Sequence, residues 1–409
     1  MAEIKKKSGG QTEPKIQMKI QETDRNLFRD EQKRRYKMEK RNRAIAIMSV
    51  SLILVFLLVV ILPNGVLSNN VYLSPAWYLN QTSANIAELG SWLGGDRASW
   101  MQFIVFRYII VALVGGALAI SGTVYQGSFR NALASPTTLG VQSGGVLGGT
   151  VYVLFFMETN QTTLSYSQLH EQIMQLSIFQ RYAQSFFILA GCLGTVTLIV
   201  GLSKIVGRGK LSSIALILCG SVFGSVISGI LELVQYDMLL NNTDDIKTTT
   251  LRYMMMGTFD NTFTLEHVVI MGIPILLGIV IMILMRSRLN LLVFGEDEAR
   301  SMGVRVELTR NLMVGIVTIL TALVISFCGM IGFIGFIVPH MTRRFTGSDL
   351  RYLMPASAVM GALCMLVVYH IGGIVGYTSN INVVTSIVGG LIFLFMLIKF
   401  RSGRNADWA

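Results

Sequence analysis

Residues 329–349 read GMIGFIGFIVPHMTRRFTGSD. The stretch begins with an apolar run that contains three glycines and one proline, and a pair of arginines follows at 343 and 344. A proline inside an apolar run shortens or breaks a helix. The run 333–345 is also shorter than the roughly 20 residues that a helix needs to cross a bilayer. Whether this short segment crosses depends on the sequence around it, and the answer decides the topology of the whole chain.

Nine longer apolar runs surround this segment. The chain has 409 residues, of which 52% are hydrophobic and 14% are charged, and its mean hydropathy is +0.57. Such a composition leaves too few polar side chains to cover a soluble protein, so the main solvent must be lipid. The runs lie near 44–62, 103–125, 137–156, 185–206, 213–234, 267–285, 308–328, 353–371 and 383–398. With 333–345 as a further crossing, the sequence predicts an all-α integral membrane protein of about ten transmembrane helices.

Basic residues fall mostly on one side of this arrangement. Outside the first 43 residues, 15 Lys and Arg lie in segments on the N-terminal side and only five lie on the other. Cytoplasmic loops carry an excess of Lys and Arg, so both termini are predicted to be cytoplasmic. This balance requires 333–345 to cross, because otherwise the basic clusters at 343–351 and 399–404 fall outside the cell.

The first 43 residues hold 14 Lys and Arg against 7 Asp and Glu, which accounts for most of the net charge of +11. We predict a basic cytoplasmic tail over 1–43, a transmembrane domain over 44–400 and a short cytoplasmic tail over 401–409. The N-terminal cations suit an anionic lipid surface, and a solvated extension explains them equally well. No basic face with aromatic readout residues follows, so nucleic-acid binding is not predicted.

The apolar runs hold almost no charge. An ion-coupled carrier usually places ionisable residues at mid-membrane, whereas Glu232 and His370 lie near the ends of their runs. The one candidate phosphate loop, 207–210, lacks the required glycine and hydroxyl positions. The four cysteines lie inside apolar runs without metal-site spacing. We therefore predict no catalytic residue, cofactor or metal site in this chain, and energy for transport must come from a partner.

Residues 106–149 read FRYIIVALVGGALAISGTVYQGSFRNALASPTTLGVQSGGVLGG. They resemble the second and third helices of the permease family of ABC importers for iron–siderophores, haem and vitamin B12. The family's Arg-Asn-Pro-Leu-Ala-x-Pro turn between these helices is matched by Arg130, Asn131 and Pro136. Ala132 replaces the first proline of that turn.

The polar segment 289–310 contains GEDEARSMGV, which resembles the family's coupling loop, Gly-Glu-x-x-Ala-x-x-x-Gly. Its two glycines are able to separate short helices. Five charged side chains of the segment are predicted to be free to pair across an interface with an ATPase: Glu296, Asp297, Glu298, Arg300 and Arg305. The fixed positions of this pattern are matched by Gly295, Glu296, Ala299 and Gly303. The predicted coupling-loop residues are these four together with Asp297 and Arg300.

Residues 329–363, which include the glycine-rich stretch quoted first, are similar to the family's Gly-x-Ile-x-Phe-Val-Gly-Leu-x-x-Pro-His-x-x-Arg pattern. Gly335, Pro339 and His340 match fixed positions of the pattern, and these three residues together with Gly332 are predicted to be structural. We expect His340 to form hydrogen bonds at a helix end rather than to bind a metal, because no second ligand lies nearby in the sequence.

The resemblance covers roughly residues 100–400 and implies a type II ABC importer permease in the cell membrane. It implies three kinds of partner: a second permease subunit in a homodimer or a heterodimer, two cytoplasmic ATPase subunits that carry ATP and Mg²⁺, and an extracytoplasmic substrate-binding lipoprotein. It also implies a translocation path along the dimer axis, lined by the helix near 213–234. The predicted path and gate residues are Gly220, Ser221, Gly224, Ser225 and Ser228.

Two family features differ here. Arg107 matches an outer arginine that docks the lipoprotein in the family, but a second arginine, between the last two helices, is missing. The proline pattern that usually opens the last helix is replaced by Asn382-Val383-Val384.

The predicted function is the permease subunit of an ATP-driven importer for an iron–siderophore chelate, not an enzyme. Haem or cobalamin is an alternative cargo within the family. An ATP-independent channel or ion-coupled transporter is the alternative of another class. No residue type in the sequence marks the chelate.

Overall fold

The structure is a computed structural model of the chain and describes residues 42, 45, 46, 48–54, 96–157, 178–208, 213–241, 245–259, 263, 265–375, 377 and 380–400. The predicted tails, apart from residue 42, and much of the first predicted span lie outside the described residues. Within the described ranges, all regular secondary structure is helical. This confirms the all-α prediction.

Residues 48–54 are helical, and eleven helices with defined bounds follow in the described part of the chain. These are α1 Asp96–Ser128, α2 Val141–Phe155, α3 Ile178–Val206, α4 Ser213–Leu240, α5 Asp245–Met256, α6 Leu265–Phe294, α7 Glu296–Ser301, α8 Val306–Cys328, α9 Ile334–Thr346, α10 Leu350–Val375 and α11 Ile381–Phe400.

Six of these helices are long and apolar enough to cross a membrane: α1, α3, α4, α6, α8 and α10. Two more, α2 and α11, contain shorter apolar stretches. The predicted membrane architecture is therefore confirmed, while the count of ten crossings and the location of the termini stay predictions. The decisive short segment forms α9, whose 13 residues span only about 20 Å at 1.5 Å per residue.

Helix α1 forms the centre of the bundle. It is mostly buried over Phe106–Ser128 and packs against α6, α8, α9 and α10. Glycines permit the closest contacts: a Cβ on Gly115 would overlap the carbonyl oxygen of Gly361 in α10, and one on Gly122 would overlap that of Gly335 in α9. Small residues let helix backbones approach this closely. Such close packing stabilises helix contacts in a membrane, where the hydrophobic effect does not drive helices together.

A second glycine seam joins α2 to α3. A Cβ on Gly148 would overlap the carbonyl oxygen of Phe187, and one on Gly191 would overlap that of Gly144. The outward faces of α3, α4, α6 and α11 carry large exposed apolar side chains, among them Leu198, Val222, Leu284 and Leu391. An exposed apolar surface of this extent belongs against lipid or against another membrane subunit.

Helix α5 is not among the predicted spans. The sequence places 235–266 in an outer segment, whereas Asp245–Met256 is helical and packs against α2, α4, α8 and α11. Its polar first half, DIKTTT, hides it from a search for apolar runs. The predicted run 137–156 also begins too early, because residues 137–140 form turns and the helix starts at Val141.

Candidate functional site

Helix α7 forms a short charged projection between α6 and α8. It lies between Gly295 and Gly303, as the sequence predicts, and Gly303 ends it with φ +81°, a conformation that glycine adopts without strain. Its inward side is fixed by Ala299, which is fully buried and whose carbonyl accepts a hydrogen bond from the Val304 amide at 3.0 Å. We call residues 296–305 the docking segment, after the role that the sequence predicts for them.

The charged residues of the docking segment divide into two groups. Asp297, Glu298, Arg300 and Arg305 are exposed, as the predicted pairing across an interface requires. Glu296 is different, because its carboxylate is ion-paired with Arg310 of α8 inside the same chain. Glu296 also faces Arg300 at 3.9 Å, but this second pair is exposed and therefore weak.

Arg310 is buried. In the sequence it stands out only as one of the basic residues predicted to lie on the cytoplasmic side. It is 9% exposed, and besides Glu296 its Nε donates a hydrogen bond to the backbone carbonyl of Ser128 at 3.1 Å. Ser128 is the last residue of α1, so its carbonyl has no partner within the helix. The Arg310 cation both satisfies this carbonyl and complements the negative end of the helix dipole.

The last turn of α1 has a second anchor in α9. Gln126 accepts a hydrogen bond from Arg343 Nη2 at 3.0 Å and donates one to the carbonyl of Phe336 at 3.3 Å. Arg343 and Arg310 therefore lie at the same end of the bundle, the end that the sequence predicts to be cytoplasmic. The end of α1 is held from α8 and from α9 together.

The turn that resembles the family's Arg-Asn-Pro-Leu-Ala-x-Pro pattern follows α1 and extends over residues 129–140; we call it the 129–140 loop. Arg130 is exposed with φ +48°, and Asn131 accepts a hydrogen bond from the Leu133 amide at 2.9 Å. Pro136 is buried, 3.3 Å from where a Cβ on Gly335 would lie. The two stretches that resemble the family therefore meet in space.

The 129–140 loop packs against α4 through glycines. A Cβ on Gly220 would lie 2.8 Å from the Leu139 Cα, and one on Gly224 would lie 3.3 Å from the Gly140 Cα. Both positions were predicted to line the translocation path. The structure places them against the loop, so their contact is with protein.

The remaining predicted path residues lie on other faces of α4. Ser221 and Ser225 are exposed, and Ser228 is half-buried with its hydroxyl 3.4 Å from that of Ser143 in α2. Gly229 continues the exposed surface, because a Cβ added there would meet nothing within 4 Å. The place of these residues on a translocation path stays a prediction.

The glycine-rich residues 328–333, which precede α9, form a junction of non-helical backbone with two other segments of the chain. The Met330 amide donates to the Met254 carbonyl at 2.9 Å, and the Thr258 amide donates to the Cys328 carbonyl at 2.8 Å. Non-helical backbone at membrane depth requires such partners within the protein. We call the contact region of residues 254–259, 328–333 and 380–382 the outer junction, after the side of the membrane that the sequence predicts for it.

Asn382 completes this junction at the position where the family usually has a proline pattern. Its Oδ1 accepts a hydrogen bond from the Gly332 amide at 2.9 Å. The Ile381 amide donates to the Gly257 carbonyl at 3.0 Å, and Gln142 of α2 donates to the Ile331 carbonyl at 2.8 Å. The sequence showed the substitution at Asn382 but not this contact, because its partner lies 50 residues away.

The other predicted site residues take structural positions. Arg107 is 9% exposed in α1, so its side chain does not project from this subunit, and its role in lipoprotein docking stays a prediction. Pro339 is buried inside α9, and His340 is half-buried next to it. Among the described residues, no group of three His, Cys, Asp or Glu could hold a metal ion.

Comparison with known proteins gives a consistent result. A model of the FecCD transport family matches residues 45–399. The molybdate import system permease protein MolB of Haemophilus influenzae is 29% identical over 298 residues, covering 73% of this chain and 80% of that protein. The hemin transport system permease protein HmuU of Yersinia pestis is 29% identical over 308 residues, covering 75% and 85%.

A solved structure is also similar. A metal-chelate type ABC transporter in an inward-facing conformation matches with a TM-score of 0.64 at 25% identity, covering 87% of this chain and 99% of that chain. The range matched by the family model includes the docking segment, α4 and the outer junction.

Proposed function

The chain belongs to the FecCD transport family, and from this membership we propose that it is the permease of an ATP-driven importer that takes up an iron–siderophore chelate. At the coarser level it is a multi-pass membrane permease of an FecCD-type ABC importer, a transport subunit and not a catalytic one. The cargo, the source of energy and the individual partners are the parts proposed here.

The observation that carries the proposal is the exposed charge of the docking segment. Asp297, Glu298 and Arg300 project from a helix of six residues that is anchored on its other side by the buried Ala299. A rigid, charged projection of both signs favours a specific protein partner over lipid. In the proposal this partner is a cytoplasmic ATPase, with one copy on each of two permease subunits.

The second permease subunit accounts for the exposed face of α4. Ser221, Ser225 and Gly229 form a strip of small neutral residues on a helix whose other exposed residues are large and apolar, apart from two carboxylates nearer its C-terminal end, Glu232 and Asp237. Two such strips that face each other across a dimer axis form a path without fixed charge over residues 221–229, and the exposed carboxylate of Glu232 follows at its end. The lipoprotein of the proposal delivers its cargo to the outer end of that path.

This neutral strip is the reason to favour a bulky chelate. A small oxyanion needs cations or several directed N–H donors along its route, and neither lines the exposed part of α4 in the described residues. An iron–siderophore encloses its metal in its own ligand shell, so small neutral side chains suffice. Haem and cobalamin satisfy the same argument and are the alternatives to be tested.

The test is uptake in cells that express the chain together with its proposed ATPase and lipoprotein partners. Ferric catecholate and ferric hydroxamate siderophores labelled with radioactive iron, labelled haemin, cobalamin and molybdate are supplied separately. We expect uptake of a ferric siderophore, and none when the phosphate-loop lysine of the ATPase is replaced by alanine.

Two results would contradict different parts of the proposal. ATP-dependent uptake of haemin, cobalamin or molybdate without siderophore uptake would replace the cargo and leave the importer in place. Transport by the purified chain alone in liposomes, with or without a proton gradient, would instead favour a channel or an ion-coupled carrier.

A further inference from the structure

Arg310 lies where the docking segment, the end of α1 and the start of α8 meet. We propose that Arg310 transmits movement of the docking segment to α4, through the end of α1 and the 129–140 loop. This inference rests on the proposed function, since it assumes an ATPase that moves the docking segment. Arg310 is a positioning residue in this mechanism, because it acts through the groups that it holds.

The first contact in this sequence is the ion pair between Arg310 and Glu296. The Arg310 side chain is 10% exposed and that of Glu296 is 39% exposed. A charge-assisted hydrogen bond to a buried guanidinium is strong, and breaking this one leaves the buried Arg310 charge without its carboxylate. Because Glu296 opens α7, displacement of α7 displaces the guanidinium as well.

The second contact is between the same guanidinium and α1. Arg310 Nε donates to the Ser128 carbonyl at 3.1 Å, while its Nη2 binds Glu296. The guanidinium group is planar and rigid, so it cannot follow Glu296 without changing its bond to Ser128. Movement of the docking segment is thereby imposed on the end of α1.

The third contact is between the 129–140 loop and α4. The loop is braced by its own hydrogen bonds, such as that from Thr138 Oγ1 to the Leu133 carbonyl at 2.9 Å. It begins directly after Ser128 and ends against Gly220 and Gly224. A braced loop in backbone contact with α4 moves that helix when the end of α1 moves.

A competing route needs no Arg310. The docking segment continues directly into α8 at Val306, so movement could pass along the covalent chain. The two routes differ in one respect: Arg310→Gln removes the ion pair and keeps the backbone of α8 intact. Retention of coupling in that variant would favour the covalent route.

The experiment uses the full chain in complex with its ATPase. Ser225→Cys, with the partly exposed Cys219 and Cys364 replaced by serine, reports on α4 through its rate of reaction with a water-soluble maleimide. The rate is measured without nucleotide and after trapping with ATP and vanadate. With Arg310 present, we expect the two rates to differ at least fivefold.

The variants distinguish loss of the Arg310 contacts from general damage to the fold or to assembly of the complex. In Arg310→Gln we expect less than a twofold difference between the two rates, while the complex still assembles and hydrolyses ATP. Arg310→Lys keeps the cation and should restore an intermediate response. Exchange of the charges, Glu296→Arg with Arg310→Glu, restores an ion pair but no donor to Ser128, so the response should stay lost. Arg288→Gln removes an exposed cation from the same end of the bundle and should respond normally.

The outcomes distinguish this inference from the proposed function. A fivefold response in Arg310→Gln would contradict the inference alone, and so would loss of the response in Arg288→Gln. Full recovery in the exchanged pair would show that the Ser128 contact is not needed, which also contradicts it. If the complex with Arg310→Gln does not assemble, the Arg310→Lys variant provides the test. A rate difference in Arg310→Lys equal to that of the unchanged chain would show that the coupling does not depend on the guanidinium. A chain with Arg310 intact that binds no ATPase would overturn both proposals.

Discussion

A Cβ atom on Gly122 would overlap the backbone carbonyl of Gly335, so α1 and α9 touch backbone to backbone at this point. The contact joins two of the three stretches on which the family resemblance rests. It also holds the short helix α9 against the most buried helix of the bundle.

Gly122→Ala is therefore expected to destabilise the protein. Overpacking a well-fitted interior costs about 1–3 kcal/mol, and the atom in the way belongs to the backbone and not to a flexible side chain. The midpoint of thermal unfolding of the purified chain in detergent should fall. Gly194→Ala in α3 is the matched control, because a Cβ there meets nothing within 4 Å. Equal midpoints in the two variants would disprove the contact.

Reversing exposed charges of the docking segment should weaken ATPase binding. Glu298→Arg with Arg300→Glu changes two exposed side chains and is expected to lower affinity at least tenfold, because like charges then meet across the interface. Binding of the ATPase to the immobilised chain is the measurement. Unfolding midpoints should not move by more than the small amounts typical of surface charges. An unchanged affinity would mean that the partner binds elsewhere.

Glu296→Arg with Arg300→Glu should abolish transport while membrane insertion and dimerisation persist. The structure adds a reason beyond docking: the change at 296 places a second cation beside the buried Arg310. Uptake and cross-linking of subunits are measured in the same cells. Glu296→Gln alone, which removes the internal ion pair and leaves Arg300 in place, should lower transport without lowering ATPase affinity. Normal uptake by the double variant would remove the coupling role of this segment.

Asn382→Ala is expected to destabilise the outer junction. It leaves the Gly332 amide without its acceptor at 2.9 Å, which costs about 1–3 kcal/mol for a buried donor. Asn382→Asp keeps an acceptor oxygen and should recover most of the loss. Asn380→Ala, two residues earlier, serves as the control in the same thermal unfolding series. A larger effect at Asn380 than at Asn382 would contradict the assignment.

The topology depends on α9 and can be tested directly. A reporter fused after Gly347 should be cytoplasmic, with fluorescence from a green fluorescent protein and no activity from alkaline phosphatase. The physical reason is the cluster Arg343, Arg344 and Arg351, which favours the cytoplasmic side. External phosphatase activity would be inconsistent with ten crossings and with both termini inside.

The parts of the fold that sequence predicts are those encoded by local pattern. Long apolar runs indicated α1, α6 and α8, and the glycines at 295 and 303 marked the bounds of α7. Helix α5 was missed because its stability comes from packing against four other helices and not from an apolar run of its own.

Sequence predicts those parts of the site whose exposure to solvent follows from their charged composition, and it does not predict contacts between distant residues. The charged segment was found, but Glu296 was expected to face a partner, whereas its main contact is Arg310. The 14 positions that separate these two residues include a glycine turn and the start of a new helix. No periodicity links them, so the pair appears only in three dimensions. The same holds for Asn382 and Gly332.

The outer junction has a consequence for biogenesis. Gly332 obtains its acceptor from Asn382, which the ribosome adds 50 residues later. At about 5–20 residues per second, the nascent chain waits roughly 3–10 s with an unpaired amide in a membrane-embedded turn. Helix α11 therefore completes a junction whose other residues are synthesised earlier. A chain that terminates before α11 would be expected to expose this turn to quality-control proteases, so that truncation removes the protein instead of leaving a shortened transporter.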